Sequence, residues 1–310
     1  MTNVTEQKRA QLQAFVGQVL VGDTAVKGVI AIGSMATGQM RPDSDIDAII
    51  FLDPFDYFVV PAEAIWDAAT DTFHSIFTDD PHLQQHGLQL DFARLDWQQW
   101  SHPDFVWPEA RRAELSAGWI AHDPHGAVAQ LIAARTAYAA ELRLHRLDEA
   151  ITWLDQHLAN GTPEMVWQNL GPVVAHGRLQ AAYDCLVGAL FAYNRRWRIW
   201  RNREMSYLLQ LPWLPAQFAD RVLIAANAPG LDYAGYLQRV AALRSLFADL
   251  QQQLIANGDY SHAPIDQAFI RLHDEPGRAW NMEEWGKLRL ARHMTMTGKD
   301  EATLDWWLRK

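Results

Sequence analysis

The stretch from Gly28 to Leu52 most constrains this chain. An apolar run, Gly28-Val-Ile-Ala-Ile, meets Gly33-Ser34, and a short helical segment then leads to Asp43-Ser-Asp45-Ile-Asp47-Ala-Ile-Ile-Phe, where a loop becomes a second apolar run. Apolar runs of this length bounded by turn residues predict strands over 28–32 and 46–52, with a helix over 34–40 between them. Side chains alternate along a strand, so Asp45 and Asp47 lie on one face at the start of the second strand. The Gly-Ser turn presents backbone N–H groups and a hydroxyl to an anion, and Gly33 lets the backbone approach closely.

The same reading predicts a helix over 5–20, a helix from Ala62 to Thr78, and strands at Leu88–Leu95 and Gly118–His122. In Leu88–Leu95 the apolar Leu88, Leu90 and Phe92 alternate with Gln89, Asp91 and Ala93, so Asp91 interrupts no core. After the turn Asp123-Pro124-His125-Gly126 the apolar spacing is helical almost throughout. Gly161-Thr162-Pro163, Gly171-Pro172, Pro212 to Pro215 and Pro229-Gly230 punctuate it. The expected class is α+β: residues 1–125 form a domain with a small mixed sheet and flanking helices, and residues 126–310 form an all-α domain.

Composition narrows the function. Residues 1–125 hold 18 acidic against 7 basic side chains, leaving 19 against 20 for the rest. A domain so acidic repels a phosphate backbone, so general nucleic-acid binding is not expected, and a neutral or cationic small acceptor fits better. The single cysteine, Cys185, excludes an intramolecular disulfide and a thiolate-rich metal centre within one chain, and points to a reducing, cytoplasmic setting. The N-terminal segment has no signal-peptide pattern, and no window reaches the length of a membrane span. The 12 histidines show no ligand-type spacing.

Carboxylates paired at a strand start suit one or two Mg²⁺ ions, which take hard oxygen ligands together with substrate phosphates. If the strand of Asp91 neighbours that of Asp45 and Asp47, Asp91 completes the metal site or takes the proton of an attacking hydroxyl. Gly33-Ser34, the spacing to Asp45-x-Asp47 and a strand-borne third acid together resemble the polymerase-β-type nucleotidyltransferase superfamily. The helical second half is similar to that of the bacterial antibiotic nucleotidyltransferases, which adenylylate aminoglycosides or lincosamides.

That resemblance implies transfer of a nucleoside monophosphate, AMP from ATP, to a hydroxyl of a small molecule, with two Mg²⁺ ions and release of pyrophosphate. It places Gly33 and Ser34 at the nucleotide phosphates and Asp45, Asp47 and Asp91 at the metals, and it carries an expectation of antibiotic resistance. The basic residue often found before Gly38 in relatives is Thr37 here, which tells against the minimal toxin–antitoxin type that modifies protein tyrosines. The intact acid triad tells against a silent nucleotide sensor.

In the second half, five arginines fall between Arg195 and Arg203. In related enzymes a basic residue from the helical domain reaches the triphosphate, which makes Arg195, Arg201 and Arg203 candidates, with surface pairing as the alternative. Trp197 and Trp200 read as core residues that could instead stack on a base. Asp43 reads as a turn or cap residue, and Asp96, Asp104 and Glu109 as loop charges. The Trp-rich end beyond Ser261, with Trp280, Trp285, Trp306 and Trp307, reads as a helical appendage.

Overall fold

The computed structural model describes residues 2–227, 230–274 and 282–297. Their contacts define two compact units, one formed by residues 1–143 with 191–213 and the other by 144–190 with 214–310.

The first unit is built on a six-stranded mixed sheet. Its strands are β1 (Val26–Ala31), β2 (Ile46–Leu52), β3 (Glu63–Asp67), β4 (Thr72–His74), β5 (Leu88–Asp96) and β6 (Trp119–His122), in the spatial order β4-β3-β5-β2-β1-β6. Only β2 and β5 run parallel; the other pairs are antiparallel. Period-two alternation sends side chains to two cores. Val29, Ala31, Ala48, Ile50, Leu90 and Phe92 join Leu12 and Phe15 of helix α1 (Asn3–Phe15). Ile30, Ile49 and Phe51 join Trp100, Trp107 and Leu115 on the opposite face. The central strands are thus covered on both sides, which is why their sequences are almost continuously apolar.

The helix expected from Ala62 to Thr78 is instead the β3–β4 hairpin. Its alanines suit a helix, but Ala64, Ile65 and Trp66 are buried where β3 pairs with β5, and that burial outweighs local propensity. The Asp67 carboxylate accepts hydrogen bonds from the Ala69 amide and the Thr70 hydroxyl. Asp71 turns the chain at φ +52°. The predicted helix over 5–20 is α1 continued by a π-helical turn, Val16–Leu20.

Six helices complete this unit: α2 (Gly33–Thr37), α3 (Pro81–His86), α4 (Trp97–Ser101), α5 (Glu109–Ala117), α6 (Ala127–Thr136) and α9 (Arg201–Leu208). Asp96 caps α4 by accepting from the Gln98 amide, and Glu109 accepts from the amide of Arg198, so two of the expected loop charges hold backbone in place.

The second unit is helical. It contains most of α7 (Ala140–Leu158) and α8 (Thr162–Tyr193), followed by α10 (Phe218–Ala226), α11 (Tyr233–Ala256), α12 (Pro264–Leu272) and α13 (Met282–Thr297). Gly161, at φ +79°, lies between α7 and α8, and Thr162-Pro163 opens α8. Gly171, at φ +80° and ψ 170°, is not helical, so α8 is two helical stretches that meet at a kink before Pro172. Tyr236, Val240, Leu243, Phe247, Leu250 and Leu254 form the buried stripe of α11 at three- and four-residue spacing. In the same unit the buried Asp148 carboxylate accepts from the Tyr260 hydroxyl at 2.7 Å and from Arg271 through two nitrogens at 2.7 and 2.8 Å. Burial and that acceptor hold the Tyr260 phenol well above its ordinary pKa. Of the Trp-rich end, Trp280, Trp306 and Trp307 lie outside the described residues, as does Pro229.

Candidate active site

The Gly33 turn is fixed by its neighbours in the sheet. The Ile32 amide donates to the Asp47 carbonyl at 2.9 Å, which ties the end of β1 to the start of β2. Gly33 then adopts φ +60° and opens α2. A Cβ there would stand 2.4 Å from Asp47 Oδ2 and 3.3 Å from Arg203 Nη1. Both the left-handed backbone and the space therefore require glycine. Gly33→Ala should destabilise the first unit by about 1–3 kcal/mol through strain and displacement of the Asp47 carboxylate. Chemical denaturation measures this, and an unchanged midpoint would mean that the carboxylate has room to move away.

Asp47 and Asp91 are register partners on the parallel strands β2 and β5, so their side chains leave the same face, a strand spacing apart. Asp45, in the loop just before β2, is close enough for its charge to act on both. On its other side Asp91 pairs in register with Glu63 of β3, which places a fourth carboxylate in the row. Burial, then the Asp45 charge, raise the Asp47 carboxyl to about 6; the Arg203 guanidinium pulls the other way and is outweighed. Burial and Asp45 likewise push Asp91 above the ordinary carboxylate range.

Arg203 Nη2 donates to Asp47 Oδ2 at 3.1 Å and neutralises part of this charge. Ser34, Gln39, Arg41, Asp45, Gln89 and Arg203 line a cavity of about 390 Å³ over the cluster. Asp43 ion-pairs with Arg41 at 3.2 Å in the exposed loop, as suits a turn residue. Among the described residues, no three His, Cys, Asp or Glu side chains form a metal-ligating group.

Ser34, Asp45 and Arg203 thus share one cavity, with Asp47 and Asp91 beside it. Arg195, at φ +53° just after α8, and Arg201, at the start of α9, are not among the residues lining it. The segment 194–200 is not helical, and α9 begins only at Arg201. Trp197 is buried and its indole N–H donates to the Thr136 carbonyl; Trp200 is half-exposed and donates to Glu114.

Sequence reasoning missed several neighbours. Lys8 of α1 lies close enough to feel Asp45 and Asp43, although burial lowers its ammonium pKa more than they raise it. Tyr207, one turn after Arg203, is pushed up first by burial and then by Glu114. Its hydroxyl is buried without a hydrogen-bond partner among the described residues. No spacing in the sequence links Lys8, Glu63, Glu114 or Tyr207 to the acids. Only the fold brings them together.

Residues 17–95, roughly a quarter of the chain, match the family model of the nucleotidyltransferase domain, and these residues hold the turn and all three acids. No curated protein matches the chain significantly. Among solved structures it is similar to the nucleotidyltransferase-like protein from Exiguobacterium sibiricum 255-15, at 13% identity and a TM-score of 0.37, over 98% of this chain and 91% of that one. That similarity is too low to bear on function. Among the described residues no helix is long and apolar enough to cross a membrane.

Proposed function

We propose that the nucleotidyltransferase domain at residues 17–95 moves a nucleoside monophosphate from a nucleoside triphosphate, ATP by resemblance, to a hydroxyl of a small molecule, with release of pyrophosphate. The observation that carries this reading is the packing of Gly33 against Asp47, which sets the Ser34 turn beside two carboxylates whose pKa burial and the Asp45 charge raise. Such a cluster of like charges is costly unless a cation and an anionic substrate arrive together.

Asp45, Asp47 and Asp91 have the hard-oxygen chemistry that suits Mg²⁺, which is usually held by only one or two carboxylates with substrate phosphates supplying further oxygens. When bound, such ions stabilise charge on the attacking and leaving oxygens. On this reading the chain's own groups divide the work. Ser34 Oγ donates to a phosphate oxygen. Arg203, the guanidinium already paired with Asp47, turns to the phosphates when the acids engage a cation. Asp91, with its raised pKa, accepts the proton of the attacking hydroxyl.

Pyrophosphate release from each of the four nucleoside triphosphates, with Mg²⁺ and a panel of hydroxylated small molecules, tests the proposal. Acceptor-dependent release is the expected result. No release with any nucleotide would sink it.

A further inference from the structure

The first unit holds a second cavity, of about 320 Å³, which shares no lining residue with the one over the acids. That is a usual volume for a small-molecule site. Thr37, Ser116, Arg196, Trp197, Tyr207 and Gln210 supply its polar and aromatic lining, and Ala36, Phe191 and Leu211 are among its apolar walls. Among the described residues no carboxylate lines it, and Arg196 carries the one charge in its lining.

The chain fixes the backbone that carries that guanidinium. The Arg196 amide donates to the Phe191 carbonyl at 2.9 Å, just after Arg195 at φ +53°, a conformation that non-glycine residues rarely adopt. Asn194 clamps the same turn to Trp213 through two hydrogen bonds, at 2.8 and 2.9 Å. Elsewhere in the segment Arg198 is paired with Glu204 and Arg203 with Asp47. Arg196 has no carboxylate partner among the described residues.

Two of the hydroxyl residues that line the cavity have a fixed polarity. Thr37 donates to the Gly33 and Ser34 carbonyls, and Ser116 to that of Ala113. Each has spent its hydrogen on backbone and offers the cavity only lone pairs. A complementary ligand brings one anionic group, at least one hydroxyl or N–H donor, and an apolar body. We propose that this cavity is a ligand site distinct from the acid cleft, taking a small hydroxylated aromatic carboxylate whose anionic end pairs with Arg196 and whose hydroxyl donates to Thr37 or Ser116.

The site needs neither nucleotide nor turnover, so its test is independent of the transferase reading. Titration calorimetry on the full chain, without nucleotide, compares 4-hydroxyphenylacetate with phenylacetate, which lacks the hydroxyl, and with tyramine, which replaces the carboxylate by an amine. The hydroxylated carboxylate is expected to bind at least tenfold more tightly than either. Arg196→Gln should weaken it at least tenfold, and Ala117→Leu, on the exposed rim, should narrow the cavity and do the same. Both positions are exposed, and melting curves check that each variant folds. Tyramine binding as tight as the carboxylate, no binding at millimolar concentration, or affinity unchanged in folded Arg196→Gln would overturn the assignment.

Discussion

Asparagine in place of Asp45 or of Asp47 is expected to lower pyrophosphate release by about 10³-fold or more, since several kcal/mol of charge stabilisation goes with a lost metal ligand. The side chain keeps its volume, so each variant should fold. For Asp47 the stability effect has a definite sign. Its carboxyl is raised from 3.8 to about 6 in the folded chain, so the folded state holds that proton more tightly than the unfolded state. The stability it contributes is complete below about pH 4 and is lost as pH rises through 6.

With no divalent ion added, the wild-type protein should therefore lose stability between pH 4 and 7 at this site. Asp47→Asn should lose less over the same window, by about 1–2 kcal/mol once partial exposure and the Arg203 pair are allowed for. Denaturation midpoints of both proteins at the two pH values decide it. Near-wild-type release by either variant would remove these carboxylates from the chemistry, and equal pH slopes would show that Asp47 is ionised without strain.

Asp91→Asn separates two roles that the geometry leaves side by side. As a general base Asp91 acts only on the acceptor's proton, so its loss should cut turnover by roughly 10² to 10⁴ while leaving affinity for nucleotide and Mg²⁺ intact. As a metal ligand it already acts in the binary nucleotide complex, and affinity falls with turnover. Calorimetric titration with a non-hydrolysable triphosphate analogue, alongside steady-state release, reads both quantities on one protein. If neither changes, the third carboxylate lies elsewhere. Glu63 is then the next residue to substitute, because it is the register partner of Asp91 on β3, whereas Asp96 is occupied in capping α4.

Strand-borne features were legible in the sequence because their geometry is local. The two-residue spacing at the head of the apolar run is enough to bring Asp45 close to Asp47, and the bounds of β2 coincide with those read from that run. Gly33-Ser34 announces a turn through the chemistry of glycine alone, and the spacing of apolar residues marks the second half as helical. The segment 62–78 was misread for the complementary reason. Its alanines carry a helical preference of a few tenths of a kcal/mol per residue, and burial against β5, some 20 residues further on, reverses that preference at a larger scale.

The tertiary structure decided what depends on neighbours rather than on periodicity. That Asp91 stands beside Asp47 follows from the parallel pairing of β5 with β2, across a connection of more than 30 residues whose path no local pattern encodes. Which arginine reaches the acids was equally hidden. Arg195, Arg201 and Arg203 look alike in a run of basic residues, but the chain leaves helical geometry after Tyr193 and re-enters it at Arg201, and that restart aims Arg203 at Asp47. The sequence by itself determined that Asp45 and Asp47 stand together at the head of a strand, because their spacing is local. Only the fold determined which strand, which arginine and which lysine those carboxylates meet, because such contacts join residues far apart in the chain.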